Sequence, residues 1–182
     1  IDEAQDRINR NFVERLMGIF THVPVGLSID DIRGLFTAYG WEFNDLDFSL
    51  AVQMLEDVLS YNPNTRFYKI KNQAIENSIC NADTVWDAVP TAEYMLNNEE
   101  LRPYAFRAAV LDAKPDYLCS VLERSEITDI TDSIRYLVER GLKENAIAVL
   151  LAIAENEEFW NIKLLPSFRE FKLSEHQLLY EF

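Results

Sequence analysis

Cysteine and histidine are scarce in this 182-residue chain, with only two of each. Cys80 and Cys119 form no CxxC, and a disulfide scaffold would need more of them. Two reduced thiols are the expected state, one disulfide in an exported protein being the alternative. Cys119 follows Leu118 and precedes Val121 in an apolar helical pattern, which places it in a core rather than in the role of nucleophile. His22 and His176 stand at opposite ends of the chain, with no HExxH, Cys/His grouping or calcium loop. No metal site is therefore expected. His22, between an apolar helix and Pro24, reads as a surface or satisfied turn residue, and His176 reads the same way in a terminal helix. Glycine is almost as sparse: Gly18, Gly26, Gly34 and Gly40 are evenly scattered and make no phosphate-binding or dinucleotide pattern. Acidic groups such as Glu99-Glu100 and Glu155-Glu157-Glu158 read as solvated helix ends. The expectation is a protein without cofactor and without catalytic activity.

Positive charge is also in short supply. Against 31 Asp and Glu there are 17 Lys and Arg, for a formal charge of -14. Up to Gln73 there are 7 basic and 11 acidic residues; beyond it there are 10 and 20. Affinity for phosphate backbones depends on Lys and Arg, so direct nucleic-acid binding is not expected of either part. An anionic membrane surface would repel the chain. The partner class left open is another protein, one with a basic surface in particular. No apolar run approaches the ~20 residues that span a bilayer. No signal-peptide pattern opens the chain, and the expected location is cytoplasmic. An opening Ile1 in place of Met is what an excised domain, or a chain trimmed of disordered flanks, would show.

Apolar residues, by contrast, make up 48% of the chain, with 11 Phe, 8 Tyr and 3 Trp to fill a core. A first helix is expected over about residues 2–20, with Ile8, Phe12, Leu16, Ile19 and Phe20 on one stripe and Pro24 and Gly26 ending it. Ser28 and Asp31 have the spacing of a capping box. They would start a helix carrying Ile29, Ile32, Leu35 and Phe36 and closing near Gly40. Asn44 can cap a third helix, with Asp45 and Asp47 in its first turn. Its expected stripe is Leu46, Leu50, Met54, Leu55 and Val58. Asn62-Pro63-Asn64 reads as a turn, and Arg66 to Ile70 alternates as a short strand does.

Three helices, a turn and a strand give residues 8–71 an element order that resembles a winged helix. The resemblance implies that the third helix would enter a DNA groove. Residues 44–59, however, hold Asp45, Asp47, Glu56 and Asp57 and no Lys or Arg, whereas base edges and phosphates need donors. Protein binding or packing is the role expected of this copy. Arg66, Lys69 and Lys71 on the wing read as a solvated edge strand.

The second half resembles itself at an offset of 28 residues. Residues 108–116 lie over residues 136–144, and Leu118, Cys119, Val121 and Leu122 lie over Ala146, Ile147, Val149 and Leu150. Each copy reads as helix, tight turn, helix. Pro115 suits a first turn and Gly141 a left-handed helix end. Asp116 and Glu144 complement the dipole of the second helix. Gly141, Glu144, Val149, Leu150 and Leu151, with Ala113, Asp116, Val121 and Leu122, resemble a degenerate ankyrin repeat over about residues 74–156. No Thr-Pro-Leu-His opens either copy, and the family's period is about 33. Val89-Pro90-Thr91 begins a fainter earlier copy. An ordinary small helical bundle is the alternative, since it shares the same short turns and stripes. In either case two helices cannot hide their apolar faces unaided, and neighbours must stack on them. Residues 157–182 are expected to cap the stack, with Trp160, Leu164, Leu165, Phe168 and Phe171 over the last pair.

The expected fold is mainly α: a small helical, winged-helix-like domain over residues 1–73 with a short β-hairpin wing, then stacked antiparallel helix pairs over 74–182. The resemblance implies that Tyr104, Arg107, Arg135, Tyr136 and Arg140 face a partner, on first helices or their turns. The expected function is a protein-interaction module. The alternatives are a regulatory protein of a DNA-associated complex or an acidic DNA mimic.

Overall fold

Helix α1 (Asp2–His22) begins the chain. Its expected stripe is the buried one: Phe12, Leu16, Ile19 and Phe20 are all at most 5% exposed. The computed structural model describes residues 2–23, 25–72, 74–75, 87–112, 117, 120–121 and 124–139. The side chain of Ile8, the two cysteines and the expected cap over residues 157–182 lie outside the described residues. The fold is mainly α, with one two-stranded antiparallel hairpin among the described residues. By packing, the chain divides into two compact units, Ile1–Tyr94 and Met95–Phe182. That division falls further along than the boundary expected after Gln73.

Helix α2 (Ile29–Ala38) starts at the expected capping box. The Ser28 hydroxyl accepts from Asp31 N–H at 3.1 Å, and Ser28 N–H donates to the Asp31 carboxylate at 3.0 Å. Ile32, Leu35 and Phe36 are fully buried, and Ile29 is half-buried. The helix closes at Gly40, whose φ of +68° is the left-handed conformation that favours glycine. Gly40 N–H donates to Thr37 C=O and Trp41 N–H to Phe36 C=O, at 2.9 and 2.8 Å. This pair of reversed bonds satisfies two end carbonyls.

Helix α3 (Asp45–Met54) is capped by Asn44, whose side-chain oxygen accepts from Leu46 N–H at 2.8 Å. Here the expected stripe is wrong. Phe48 and Ala51 are the buried residues, whereas Leu46 and Met54 are among the most exposed large apolar side chains. Apolar residues cover most of this helix and leave only the narrow strip of Asp45, Ser49 and Gln53 without one, so the inner face was easily misplaced from spacing. Aromatic packing chose it: the Phe48 ring lies 5.7 Å from Phe43 and 5.2 Å from Tyr68. The helix also ends earlier than expected. Leu59, assigned from sequence to the third helix, instead opens a strand.

That strand, β1 (Leu59–Asn62), pairs antiparallel with β2 (Phe67–Ile70), Tyr61 lying opposite Tyr68. Asn62 shapes the turn, its side-chain oxygen accepting from Asn64 N–H at 2.9 Å. Leu27, between α1 and α2, exchanges two backbone bonds of 2.9 and 2.8 Å with Tyr68. The residue before it, Gly26, lies so close to Phe67 that an added Cβ would meet the Phe67 Cβ at 2.9 Å. Helix α1 packs on both α2 and α3. Between them lies a run of rings: Phe12–Phe36 at 4.7 Å, Phe36–Phe43 at 5.5 Å and Phe36–Trp41 at 5.6 Å.

His22 closes α1 and is buried, at 5% exposure, which overturns the surface half of the expectation of a surface or satisfied turn residue. Tyr39, the residue capping α2, donates its hydroxyl to Asp87 C=O at 2.7 Å and shares a second bond with the Thr91 hydroxyl at 2.7 Å. His22 Nδ1 stands 3.5 Å from the same hydroxyl. Burial lowers the His22 pKa to about 4 despite the opposing pull of Asp87, so the ring is neutral at neutral pH. Helix α4 (Val89–Leu96) follows, with Pro90 in its first turn.

Candidate partner-binding site

In the second unit a 3-10 turn, Arg102–Tyr104, leads into helix α5 (Ala105–Asp112). The turn is tied back by Arg102 Nε, which donates to Leu96 C=O at 3.2 Å. The sequence of α5 is dominated by small residues on its inner side. Ala105, Ala108 and Ala109 are all buried, along with Phe106 and Val110. Short side chains allow a neighbouring backbone to approach, and α5 packs on helix α6 (Ile127–Glu139). Among the described side chains of α6, Ile130 and Ser133 are buried. The Ser133 hydroxyl donates to Asp129 C=O at 2.7 Å, satisfying a polar group that would otherwise be costly inside.

This pair of helices brings together three of the five residues singled out from sequence. The Arg107 guanidinium carbon lies 4.0 Å from the centroid of the Tyr136 ring and 5.5 Å from that of Tyr104. All three side chains are half-buried. A cation over an aromatic face is worth about 0.5–2 kcal/mol, more as water is excluded. Arg107 therefore links the turn before α5 to α6. Arg135 is adjacent to Tyr136 in the chain, but its guanidinium pairs with Asp132 at 2.9 Å, and its side chain remains 38% exposed. An exposed pair of this kind contributes little to stability. Arg140 lies outside the described residues.

A row of acids beside these residues was missed. Glu126, Asp129 and Asp132 recur at intervals of three through the start of α6, a spacing that keeps side chains on one side of a helix. The Asp129 pKa is raised by partial burial first, then by Glu126 and Asp132. The spacing was legible in the sequence; the crowding needed the helix boundaries. Among the described residues no three His, Cys, Asp or Glu side chains converge on a place for a metal ion. Nor is any helix among them long and apolar enough to cross a membrane.

What the arrangement offers is contact chemistry: two tyrosine rings held by an arginine, an exposed arginine and a row of carboxylates. No protein family, curated protein or solved structure matches this chain.

Proposed function

We propose that the chain is a non-catalytic protein-interaction module whose C-terminal unit binds another protein through its packed helix pair. The observation that carries this reading is the Tyr104–Arg107–Tyr136 cluster. Tyrosine and arginine dominate the energetics of protein interfaces. Side chains already held in place lose less freedom when a partner arrives. The repeat resemblance adds support: shifted by 28 residues, residues 105–111 of α5 fall on residues 133–139 of α6, helix on helix. In the ankyrin-like reading both belong to first helices. Both turns, with Pro115 and Gly141, and the second helix of the later copy lie outside the described residues; of the earlier copy's second helix, Tyr117, Ser120, Val121 and Arg124 are described, and all four are helical. The acidic balance of this half favours a partner with a basic surface, and two Cys without a CxxC accord with a cytoplasmic setting.

The test is capture of partners from an extract of the native host by the intact chain, with mass spectrometry, followed by titration of each purified partner. Arg135→Ala is expected to weaken binding about tenfold, the loss of one good contact, with an unchanged melting temperature. Tyr136→Phe, which keeps the ring over Arg107, should preserve binding. If every variant that loses binding also melts earlier, the cluster is packing and the reading fails.

A second reading has one specific observation in its favour. The Leu27 bridge to Tyr68 lays a third extended segment beside the hairpin, after α1 and before α2. Together with the helix order, this supports a winged-helix-like N-terminal unit in a regulatory protein. The absence of Lys and Arg from α3 argues for protein contacts within a DNA-associated complex, not direct DNA contact. A salt-titrated assay with duplex DNA discriminates: phosphate contacts would give binding that falls steeply with salt, and none is expected.

A further inference from the structure

Two large apolar side chains of α3 point into solvent. Leu46 is 65% exposed and Met54 63%. They are separated by two helical turns, about 12 Å at 1.5 Å per residue, with half-buried Leu50 between them. Positions four apart share one side of a helix, so the three form a single stripe. Exposing such a stripe forgoes about 25 cal/mol for every Å² of apolar surface that could be covered.

The rim of the stripe is acidic. Asp47 lies in the first turn of α3, and Glu56 and Asp57 follow its C-terminal end. That end already carries the negative pole of the helix dipole, where cations are the favourable residues, and the last turn of α3 has no basic residue. A cation that does reach this helix, Arg33, is held between Asp30 and Asp45 at 3.0 Å from each. An uncovered apolar stripe and acids at a negative helix end are both unfavourable in the free protein. Local rules broken without local compensation are expected at functional sites.

We propose that the outward face of α3, formed by Leu46, Leu50 and Met54 and rimmed by Asp47, Glu56 and Asp57, docks a basic amphipathic helix of a partner protein. A stripe spaced at four and eight residues matches the anchor spacing of a helix laid along it. The rim selects Lys and Arg on the partner's flanks, which speeds encounter and excludes acidic competitors. This surface lies beyond the reading above and uses none of the residues assigned to the C-terminal unit, so either can fail alone.

The experiment uses the full chain and a fluorescently labelled peptide of Leu and Lys arranged at helical spacing, followed by anisotropy. Saturable binding is expected, weakening as salt is raised. Leu46→Gln with Met54→Gln should weaken it at least about tenfold without lowering the melting temperature, because both side chains are exposed. Asp47→Asn with Glu56→Gln and Asp57→Asn should weaken it several-fold and flatten its salt dependence. A scrambled peptide of the same composition, and a Leu and Glu peptide of the same spacing, should not bind. The proposal is overturned by no binding, by equal binding of the scrambled peptide, or by a Gln variant that unfolds early. Sedimentation gives a further arm: a dimer that the Gln variants dissociate would make the occupant a second copy of this chain and overturn the proposal too.

Discussion

Helix α2 and helix α3 each have ten residues, a side-chain cap and two acidic residues in the first turn. They differ in how apolar residues are distributed around them. In α2, Asp30, Asp31, Arg33 and Thr37 mark out a polar side, and the opposite side, Ile32, Leu35 and Phe36, is fully buried. In α3 the apolar residues Leu46, Phe48, Leu50, Ala51, Val52 and Met54 cover most of the helix, and the polar side is only the narrow strip of Asp45, Ser49 and Gln53. The aromatic neighbours Phe43 and Tyr68 then select Phe48 for the interior and leave Leu46 and Met54 outside. Periodicity identifies an inner face sharply only when a broad polar face opposes it.

The sharpest test of this contrast is truncation on the two helices. Phe36→Ala should cost about 3–5 kcal/mol in urea unfolding, because its ring meets Phe12, Trp41 and Phe43. Met54→Ala and Leu46→Ala should remain within about 0.5 kcal/mol of the parent. Comparable losses on both helices would break the comparison.

Acid should also act first at the α2 side. The unfolded chain binds a proton at His22 near pH 6.5, the folded one only at about pH 4. The unfolded state therefore holds more protons between those values. Stability from a neutral His22 is complete above that window and declines through it as pH falls, by up to about 3 kcal/mol. Protonation would strike next to Tyr39, which caps α2. Melting followed from pH 7 down to pH 5 should show a slope that His22→Gln flattens. An unchanged slope in that variant would assign the loss to other groups.

Gly34 probes α2 from outside. The Tyr94 ring, whose hydroxyl donates to the Asp31 carboxylate at 3.4 Å, occupies the space an added Cβ would need. Gly34→Ala should therefore destabilise by about 1–2 kcal/mol through overpacking, although alanine is the better helix former by about 1 kcal/mol. Adding Tyr94→Leu should recover most of the loss in a double-mutant cycle. The smallest effect concerns the helix starts. Ser28→Ala and Asn44→Ala should each cost about 1 kcal/mol by thermal melting. The Ser28 change should cost more, because its box has a second, reciprocal bond to Asp31.

Much of the first unit was legible in the chain because its signals are local. A Ser with Asp three residues on, a Gly able to take φ of +68° and a Pro-containing turn act over a few residues, and α1, α2 and the hairpin turn follow them. Strand β1 was not legible. Leu59 to Tyr61 continues the apolar pattern of α3, and only pairing with β2 makes that segment extended. The surface half of the His22 expectation failed for a related reason. Its burial depends on Tyr39 and on Asp87 and Thr91, far along the chain. Of the candidate contact residues, spacing could place Tyr104 and Arg107 on neighbouring turns. The ring of Tyr136 over the same guanidinium is a contact between helices, and no local signal encodes it.

By itself the sequence determined the helical class, the capped helix starts, the apolar inner sides of α1 and α2, and an acidic surface poorly matched to phosphates. Each of these depends on residues within a turn or two of one another, or on composition alone. Tertiary structure decided which side of α3 faces inward, that Leu59 to Asn62 is a strand, that His22 is buried and neutral, and that Arg107 lies between two tyrosines. Those outcomes depend on which distant groups come to share a volume, and desolvation and close packing act only once that volume has closed.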